Sequence, residues 1–268
     1  MNPIVLAPTS LVRTTPSEYL DAAAQAGYDG VGLRLFASPG IDYAVFHDIA
    51  NNPVLGREVE TKLKDTGLKV YDILSFYMQP ETDLASMEPA LKYGAEIGAD
   101  YALVIGDDPD WARMVDNFGR FCQLAGQYGL AASVEAPVTQ RHVNRLEKAL
   151  NLIKECGAEN AVICLDPYHF NHVGDTADMI RAQDPRLFPY TQIDDGKADP
   201  PPPKGRCAPG EGIVPLADIL DALTPNLPLS LEWSMPADGN YTPAEWAQHA
   251  IDKTRKFLDG YHASRSVK

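Results

Sequence analysis

Apolar residues are distributed along the chain in two alternating kinds of segment. Short runs rich in Val, Ile, Leu and Ala are separated by longer segments in which apolar residues recur every three to four positions. The first kind is typical of buried strands and the second of amphipathic helices. The predicted strands cover residues 3–7, 30–35, 69–76, 101–105, 131–134, 161–165, 188–193 and 228–231.

The segments between these strands carry helix start and end signals. One helix begins at Thr15-Pro16-Ser17-Glu18, and the last begins at Thr242-Pro243-Ala244-Glu245. Further helices are predicted at residues 84–99, 111–128, 138–156 and 216–223, and Gly129 and Gly157 end two of them. The chain therefore reads as strand and helix in regular alternation.

Alternating strands and helices with apolar strands predict a parallel sheet that is buried on both faces. An open doubly wound sheet and a closed barrel both satisfy this pattern. Eight units in 268 residues match the usual size of a closed barrel. No G-x-G-x-x-G follows the first strand, so the commonest fingerprint of the open sheet is missing. We therefore predict an α/β fold, a single (β/α)8 TIM barrel domain over residues 1–268.

The composition mainly argues against membrane-spanning and secreted proteins. No apolar run approaches the ~18 residues of a membrane helix, and the first residues lack the features of a signal peptide. The four cysteines form no C-x-x-C pair, and Cys122, Cys156 and Cys164 are expected to be core residues. These features predict a cytoplasmic protein that does not bind membranes.

The formal net charge of −14 is spread along the chain, and no Lys/Arg cluster interrupts it. Nucleic-acid binding depends on basic surface, so we expect no nucleic-acid partner. An anionic small molecule is still compatible, because a few local arginines can reverse the field inside a pocket. Homo-oligomerisation is also compatible with the sequence.

Oxygen-bearing side chains stand at the ends of four consecutive predicted strands. These residues are Glu135, Asp166, Gln192 and Glu232. Catalytic residues of (β/α)8 barrels come from the carboxyl ends of the strands, where neighbouring strands lie ~4.8 Å apart. Three carboxylates placed together repel one another unless a cation or protons neutralise them. We therefore predict a divalent metal site, with Mg2+ or Mn2+ preferred because all the ligand atoms are oxygens and Co2+ as a third option.

Several short motifs accompany these strand ends. They are the D-x-x-H of Asp166 to His169, the R-x-x-P-G-E-G of Arg206 to Gly212, and the L-E-W around Glu232. In their order and spacing the chain resembles the xylose-isomerase-like TIM barrel superfamily of sugar phosphate isomerases and epimerases. The resemblance covers nearly the whole length, although its motifs lie in the second half.

The resemblance implies a role for each of these residues. Glu135, Asp166, Gln192 and Glu232 would be the metal ligands, and Glu135 and Glu232 would also form the catalytic acid/base pair. His169 would contact a substrate oxygen as a further catalytic residue.

Two arginines complete the predicted site. Arg206 would bind a substrate hydroxyl or anionic group, and the Pro-rich segment 196–212 would carry it over the barrel mouth. Arg34, at the end of the second strand, is predicted to face the mouth and to bind a carboxylate or phosphate, although a structural ion pair explains it equally well.

The activity implied by the resemblance is that of a metal-dependent isomerase or epimerase of a sugar or sugar phosphate. One glutamate would remove a proton from a small polyol or keto-sugar, giving a metal-stabilised enediolate, and the other would return a proton elsewhere.

The alternative is a dehydratase, a lyase that acts on a cyclic keto-polyol or keto-acid such as 3-dehydroshikimate. Gln192 resembles the dehydratase branch, whereas many other members of the superfamily carry His at this position. The residues Ser234-Met235-Pro236, which come shortly after Glu232, depart from the dehydratase branch. A remote alternative is a DNA-repair enzyme like the abasic-site endonucleases, which use a histidine-rich metal site and a basic surface. This chain has only six histidines, few of them at strand ends, and an acidic net charge, and both features argue against that activity.

Overall fold

The computed structural model describes residues 1–37 and 46–266. Eight parallel strands close into a barrel in the order β1-β2-β3-β4-β5-β6-β7-β10. The strands are β1 (Ile4–Leu6), β2 (Gly30–Arg34), β3 (Lys69–Met78), β4 (Tyr101–Gly106), β5 (Ala131–Glu135), β6 (Ala161–Leu165), β7 (Tyr190–Ile193) and β10 (Leu229–Leu231). The predicted TIM barrel is therefore confirmed, and each predicted strand is present with bounds that differ by a few residues.

Helices connect the strands around the outside of the barrel. They are α1 (Pro16–Ala26), α2 (Pro53–Thr66), α3 (Leu84–Glu96), α4 (Trp111–Gln127), α5 (Leu146–Cys156), α6 (Pro167–His172), α7 (Ala177–Arg181), α8 (Leu216–Ala222) and α9 (Pro243–Ser266). Within the ranges described, no helix has both the length and the apolar character required to span a membrane.

Local sequence explains where several helices begin. Thr15 caps α1 with a reciprocal capping box, in which Glu18 binds back to the Thr15 backbone. Helix α5 is shorter than predicted, because it begins at Leu146 rather than near residue 138. The backbone amide of Leu146, at the start of α5, donates to the carboxylate of Asp175 at 2.9 Å. A side chain 29 residues away in the sequence therefore binds the start of this helix.

The main core lies between the barrel and its helices. Helix α4 shows the arrangement, since Met114, Phe118, Phe121 and Ala125 are all buried along one face. The ring of Phe121 packs 5.1 Å from that of Phe76 in β3. Cys122 and Cys164 are also buried, as expected for core cysteines.

A small antiparallel hairpin departs from the simple barrel plan. It pairs β8 (Asp195–Gly196) with β9 (Arg206–Cys207), in the segment that follows β7. The hairpin encloses residues 197–205, which contain the prolines of the predicted segment 196–212. It therefore holds that segment at the carboxyl end of the barrel, where the predicted site residues lie.

Candidate metal centre

The predicted ligands lie together at the carboxyl end of the barrel. Glu135 is the last residue of β5, Asp166 follows β6, Gln192 belongs to β7, and Glu232 follows β10. Gln192 is in register with Ser230 of β10. Glu232 lies two residues after Ser230, so its side chain projects from the same side of β10 as that of Ser230. Glu135, Asp166 and Gln192 are at most 6% exposed, so these polar groups face the interior rather than bulk water.

His169 joins two of these residues through a short helix. Asp166 caps α6, and its carboxylate accepts the backbone amide of His169 at 3.1 Å. The His169 Nε2 atom then lies 3.6 Å from Asp166 Oδ2 and 4.0 Å from Glu135 Oε1. One ligand atom from each of these three residues lies within 4.8 Å of the other two, close enough to share an ion.

Arg206, carried on β9, lies among the carboxylates. Its Nη2 donates to Asp166 at 2.7 Å and lies 3.2 Å from His169 Nε2, while its Nη1 binds Asp194. Glu232 is 3.8 Å from the same guanidinium, and Tyr168 places its ring 4.6 Å from it. The structure therefore brings Arg206 to the barrel mouth, where its predicted role in substrate binding stays a prediction.

Asp195 organises the segment that carries Arg206. Its buried carboxylate accepts four backbone amides, those of Gly196 at 2.8 Å, Gly210 at 3.1 Å, Gly212 at 2.9 Å and Val214 at 2.9 Å. A Cβ at position 212 would collide with this carboxylate, which explains the glycine there. The P-G-E-G motif is thus a backbone cradle around Asp195.

Burial and mutual repulsion set the protonation of the acidic groups. Burial, with repulsion from Glu232 and Asp166, raises the pKa of Glu135 well above its usual value. Burial also raises the pKa of Glu232, and attraction to Arg206 offsets this only in part. Burial acts in the same direction on Asp166, but Arg206 and His169 outweigh it and lower its pKa. Without a further cation, this site therefore makes ionisation of its two glutamates less favourable than it is in water.

His169 is neutral near pH 7. Burial lowers its pKa to about 4, and the neighbouring Asp166 counteracts this only partly. Because the Arg206 guanidinium can only donate, Nε2 acts as the acceptor of their 3.2 Å contact and the ring proton belongs on Nδ1. Nδ1 is buried and has no hydrogen-bond partner among the residues described, so it remains a donor for an incoming group.

Arg34 lies on the other side of the mouth. It ends β2, and its charge interacts with Tyr77 of β3 and with Glu232. Burial lowers the pKa of Arg34, while burial and repulsion from Glu135 raise the pKa of Tyr77 to about 12. Arg34 is therefore near the acidic residues but outside the group formed by Glu135, Asp166 and His169.

The residues present fit a divalent cation. Gln192 Oε1 and Glu232 Oε2 are buried without a hydrogen-bond partner in the described part of the chain. Such atoms are rare in folded proteins and call for an explanation, such as an ion. Both unpaired oxygens are compatible with the predicted ligand roles of Gln192 and Glu232, which stay predictions.

The sequence analysis missed two acidic residues near the site. Asp194, fully buried beside Arg206, and Asp72, fully buried inside the barrel, received no role. For Asp194 a signal existed, because two consecutive acids directly after a buried strand are unusual. His169 was associated with the site, but its place in α6, one turn after Asp166, was not predicted.

Comparison with known proteins gives the chain a family context. The chain is 28% identical to the 3-dehydroshikimate dehydratase of Pseudomonas putida over 94% of its own length. It spans only 41% of that dehydratase, so it matches about two fifths of the longer protein.

Two solved structures share the fold. One is the IOLI protein with a bound zinc atom, with a TM-score of 0.78 and 18% identity over 97% of this chain and 99% of that one. The other is the 3-keto-D-glucoside 4-epimerase of E. coli, with a TM-score of 0.73 and 18% identity over 96% of this chain and 100% of that one. The model of the xylose isomerase-like TIM barrel family matches residues 20–257, and the chain therefore belongs to that family.

Proposed function

We propose that the chain is a metal-dependent dehydratase that removes water from a cyclic hydroxy keto acid of the 3-dehydroshikimate type. The observation that carries this is the match to a dehydratase along 94% of the chain, combined with Gln192 among the strand-end acids. The sequence alone favoured an isomerase or epimerase, whereas this match supports the dehydratase.

Glu135, Asp166, Gln192 and Glu232 would hold the metal, and His169 would stand beside them as a contact for the substrate. A divalent ion supplies Lewis acidity, which makes a proton next to a carbonyl easier to remove. We assign Mg2+ or Mn2+ because most of the donor atoms are carboxylate and amide oxygens.

The glutamates are the groups that move protons in this proposal. They come from strands on either side of Asp166 and Gln192, so they would flank a substrate bound at the mouth. One carboxylate removes the proton next to the carbonyl, and the other delivers a proton to the departing hydroxyl. The raised pKa values of Glu135 and Glu232 fit groups that transfer protons in a reaction.

His169 and the two arginines orient the substrate. A pKa of about 4 makes His169 a poor proton source at pH 7, so we assign its Nδ1–H as a hydrogen-bond donor to a substrate oxygen. Arg206 would donate to a hydroxyl of the substrate, and Arg34 would bind its carboxylate.

The test is turnover of 3-dehydroshikimate by the full chain with Mn2+, followed by the absorbance of the aromatic product and by NMR in D2O. Glu135→Gln and Glu232→Gln should each lower kcat by roughly 10²–10⁴-fold, because loss of a general acid or base typically has that effect. Glu60→Gln, on the exposed side of α2, is the matched control and should retain wild-type activity.

A second candidate is an epimerase of a keto-sugar, which the presence of two buried glutamates with raised pKa favours. The same NMR experiment separates the two reactions. Loss of water supports the dehydratase, whereas solvent deuterium at one carbon of a ketose without water loss supports the epimerase. If neither substrate class loses or exchanges a proton, both proposals are wrong.

A further inference from the structure

A second cavity lies at the edge of the barrel mouth, beside the candidate metal centre. Its volume is about 60 Å3, and it is open to solvent on one side. We call it the rim cavity, and its lining includes Leu11, Val12, Tyr19, Leu33, Arg34 and Phe46. It lies between the turn after β1, the start of α1, the end of β2 and residues 46–49.

The rim cavity shares a wall with the metal centre. Arg34 lines the cavity and also interacts electrostatically with Glu232, so its side chain connects the two. The turn after β1 makes a second connection, because Thr9 lies beside the Glu232 carboxyl and Ser10 accepts the backbone amide of Trp233 at 3.1 Å. A molecule bound at the metal centre would have to extend past Arg34 to enter the cavity.

Most of the side chains that line the rim cavity are apolar. Leu11 and Leu33 are almost fully buried and present only hydrocarbon. The Tyr19 hydroxyl bonds to the carbonyl oxygens of Leu6 and Gly32, so this side chain offers the cavity its ring rather than a polar group. Thr14 and His47 add polar groups to the lining, so the cavity combines a mostly apolar wall with Arg34. Such a lining matches a ligand that has an apolar part next to an anionic group.

We propose that the rim cavity binds an apolar substituent of the substrate, next to a carboxylate held by Arg34. This rests on the proposed function, since it places the reacting hydroxy keto group at the metal centre. It goes further by defining the substrate class, because 3-dehydroshikimate has no apolar substituent and would leave the cavity empty. The natural substrate is then a larger molecule, with an aryl or alkyl group attached near its carboxylate.

Binding of simple carboxylates tests the cavity without any turnover. We would titrate phenylacetate and acetate into the full chain with Mg2+, using calorimetry or ligand-observed NMR. These probes share a carboxylate and differ by one phenyl ring. Burying about 100 Å2 of ring surface at ~25 cal/mol per Å2 predicts that phenylacetate binds roughly 10- to 100-fold more tightly than acetate.

Two variants locate the bound ring. Val12 lines the cavity and is 49% exposed, so Val12→Trp can fill the space from its open side. It should reduce the preference for phenylacetate to about 2-fold or less, and Val12→Phe should give an intermediate value. Val54→Trp places the same indole on an exposed position of α2 that does not line the cavity and should keep the full preference.

Arg34→Gln tests the carboxylate contact. Because a hydrogen bond between charged groups is worth more than a neutral one, phenylacetate should bind roughly 10-fold more weakly to this variant. Binding that is abolished by EDTA but unchanged in Val12→Trp and Arg34→Gln would put the probe on the metal and overturn the proposal. So would equal affinities for phenylacetate and acetate in the wild-type chain. Either result leaves the dehydratase test unaffected, since that test measures loss of water.

Discussion

Asp72 is a fully buried acid in the barrel interior, and the proposed reaction does not use it. Tyr190 donates to its Oδ2 at 3.3 Å, and no hydrogen-bond partner for Oδ1 lies within the described residues. Burial raises its pKa to about 7, and the charge of Glu232 adds to the effect while Tyr190 opposes it. The carboxyl group of Asp72 is therefore uncharged over most of the acidic range.

This raised pKa gives a prediction for stability. A group that binds its proton more tightly when folded stabilises the fold at low pH, and this contribution decreases as pH rises from about 4 to about 7. Between pH 5.5 and 8 the contribution of Asp72 decreases by about 2 kcal/mol, because one pKa unit corresponds to ~1.4 kcal/mol.

The measurement is urea unfolding of the metal-free chain at several pH values. Between pH 5.5 and 8, the free energy of unfolding of the wild-type chain should decrease by about 2 kcal/mol more than that of Asp72→Asn, because the amide does not titrate. Tyr190→Phe, which removes the donor to Asp72, should keep the pH dependence. Parallel pH curves for wild type and Asp72→Asn would show that Asp72 is already ionised in the folded state.

The β8–β9 hairpin is the element that positions the site, and Asp195 holds it together. Four backbone amides converge on this one carboxylate, and the hairpin that they fix carries Arg206 to Asp166 and Asp194. Hydrogen bonds to a charged acceptor are worth about 1.5–3 kcal/mol each, more than bonds to a neutral one. A single side chain thus sets the conformation of the segment that carries Arg206.

Asp195→Asn should loosen this segment while leaving the barrel folded. The amide keeps one good acceptor but turns an NH2 group towards backbone donors. We therefore expect the free energy that opposes local opening of this segment to decrease by at least ~2 kcal/mol. Trypsin cleavage after Lys197 or Lys204 should then become roughly 30-fold faster, which mass spectrometry would show. Asp199→Asn, an exposed position in the same segment, is the control. Equal cleavage rates for both variants would mean that Asp195 does not fix the loop.

For the whole molecule, the metal centre and the fold depend on each other. The candidate ligands come from four strands that are separate in sequence and close only when the barrel closes. An ion that binds the folded chain alone stabilises it by an amount that grows with its concentration. The carboxylates it would neutralise include two whose pKa values are raised in its absence.

Mn2+ or Mg2+ should therefore raise the thermal stability of the chain. At 100 times its Kd, an ion contributes about 2.7 kcal/mol, which is roughly 5 °C in Tm for a chain of this size. Differential scanning calorimetry with the ion, and again after EDTA, measures the effect. Asp166→Asn should lose most of it, whereas Asp116→Asn, an exposed change on α4, should keep it. No change in Tm with any divalent ion would contradict the metal site.

The sequence by itself determined the barrel and the set of strand-end residues. Strand and helix periodicity depend on neighbouring residues, so they can be read along the chain. The carboxyl ends of parallel strands meet at one face, so Glu135, Asp166, Gln192 and Glu232 had to gather there once the barrel closed.

Only the tertiary structure decided how these groups interact. Arg206 reaches Asp166 across 40 residues, and Tyr190 reaches Asp72 across 118. Such contacts depend on the angle at which each side chain enters the barrel, on the cradle around Asp195, and on the exclusion of water. Those factors set the raised pKa of Glu135, the neutral His169 and the rim cavity next to Arg34, because burial and distance are properties of the packed molecule rather than of any segment.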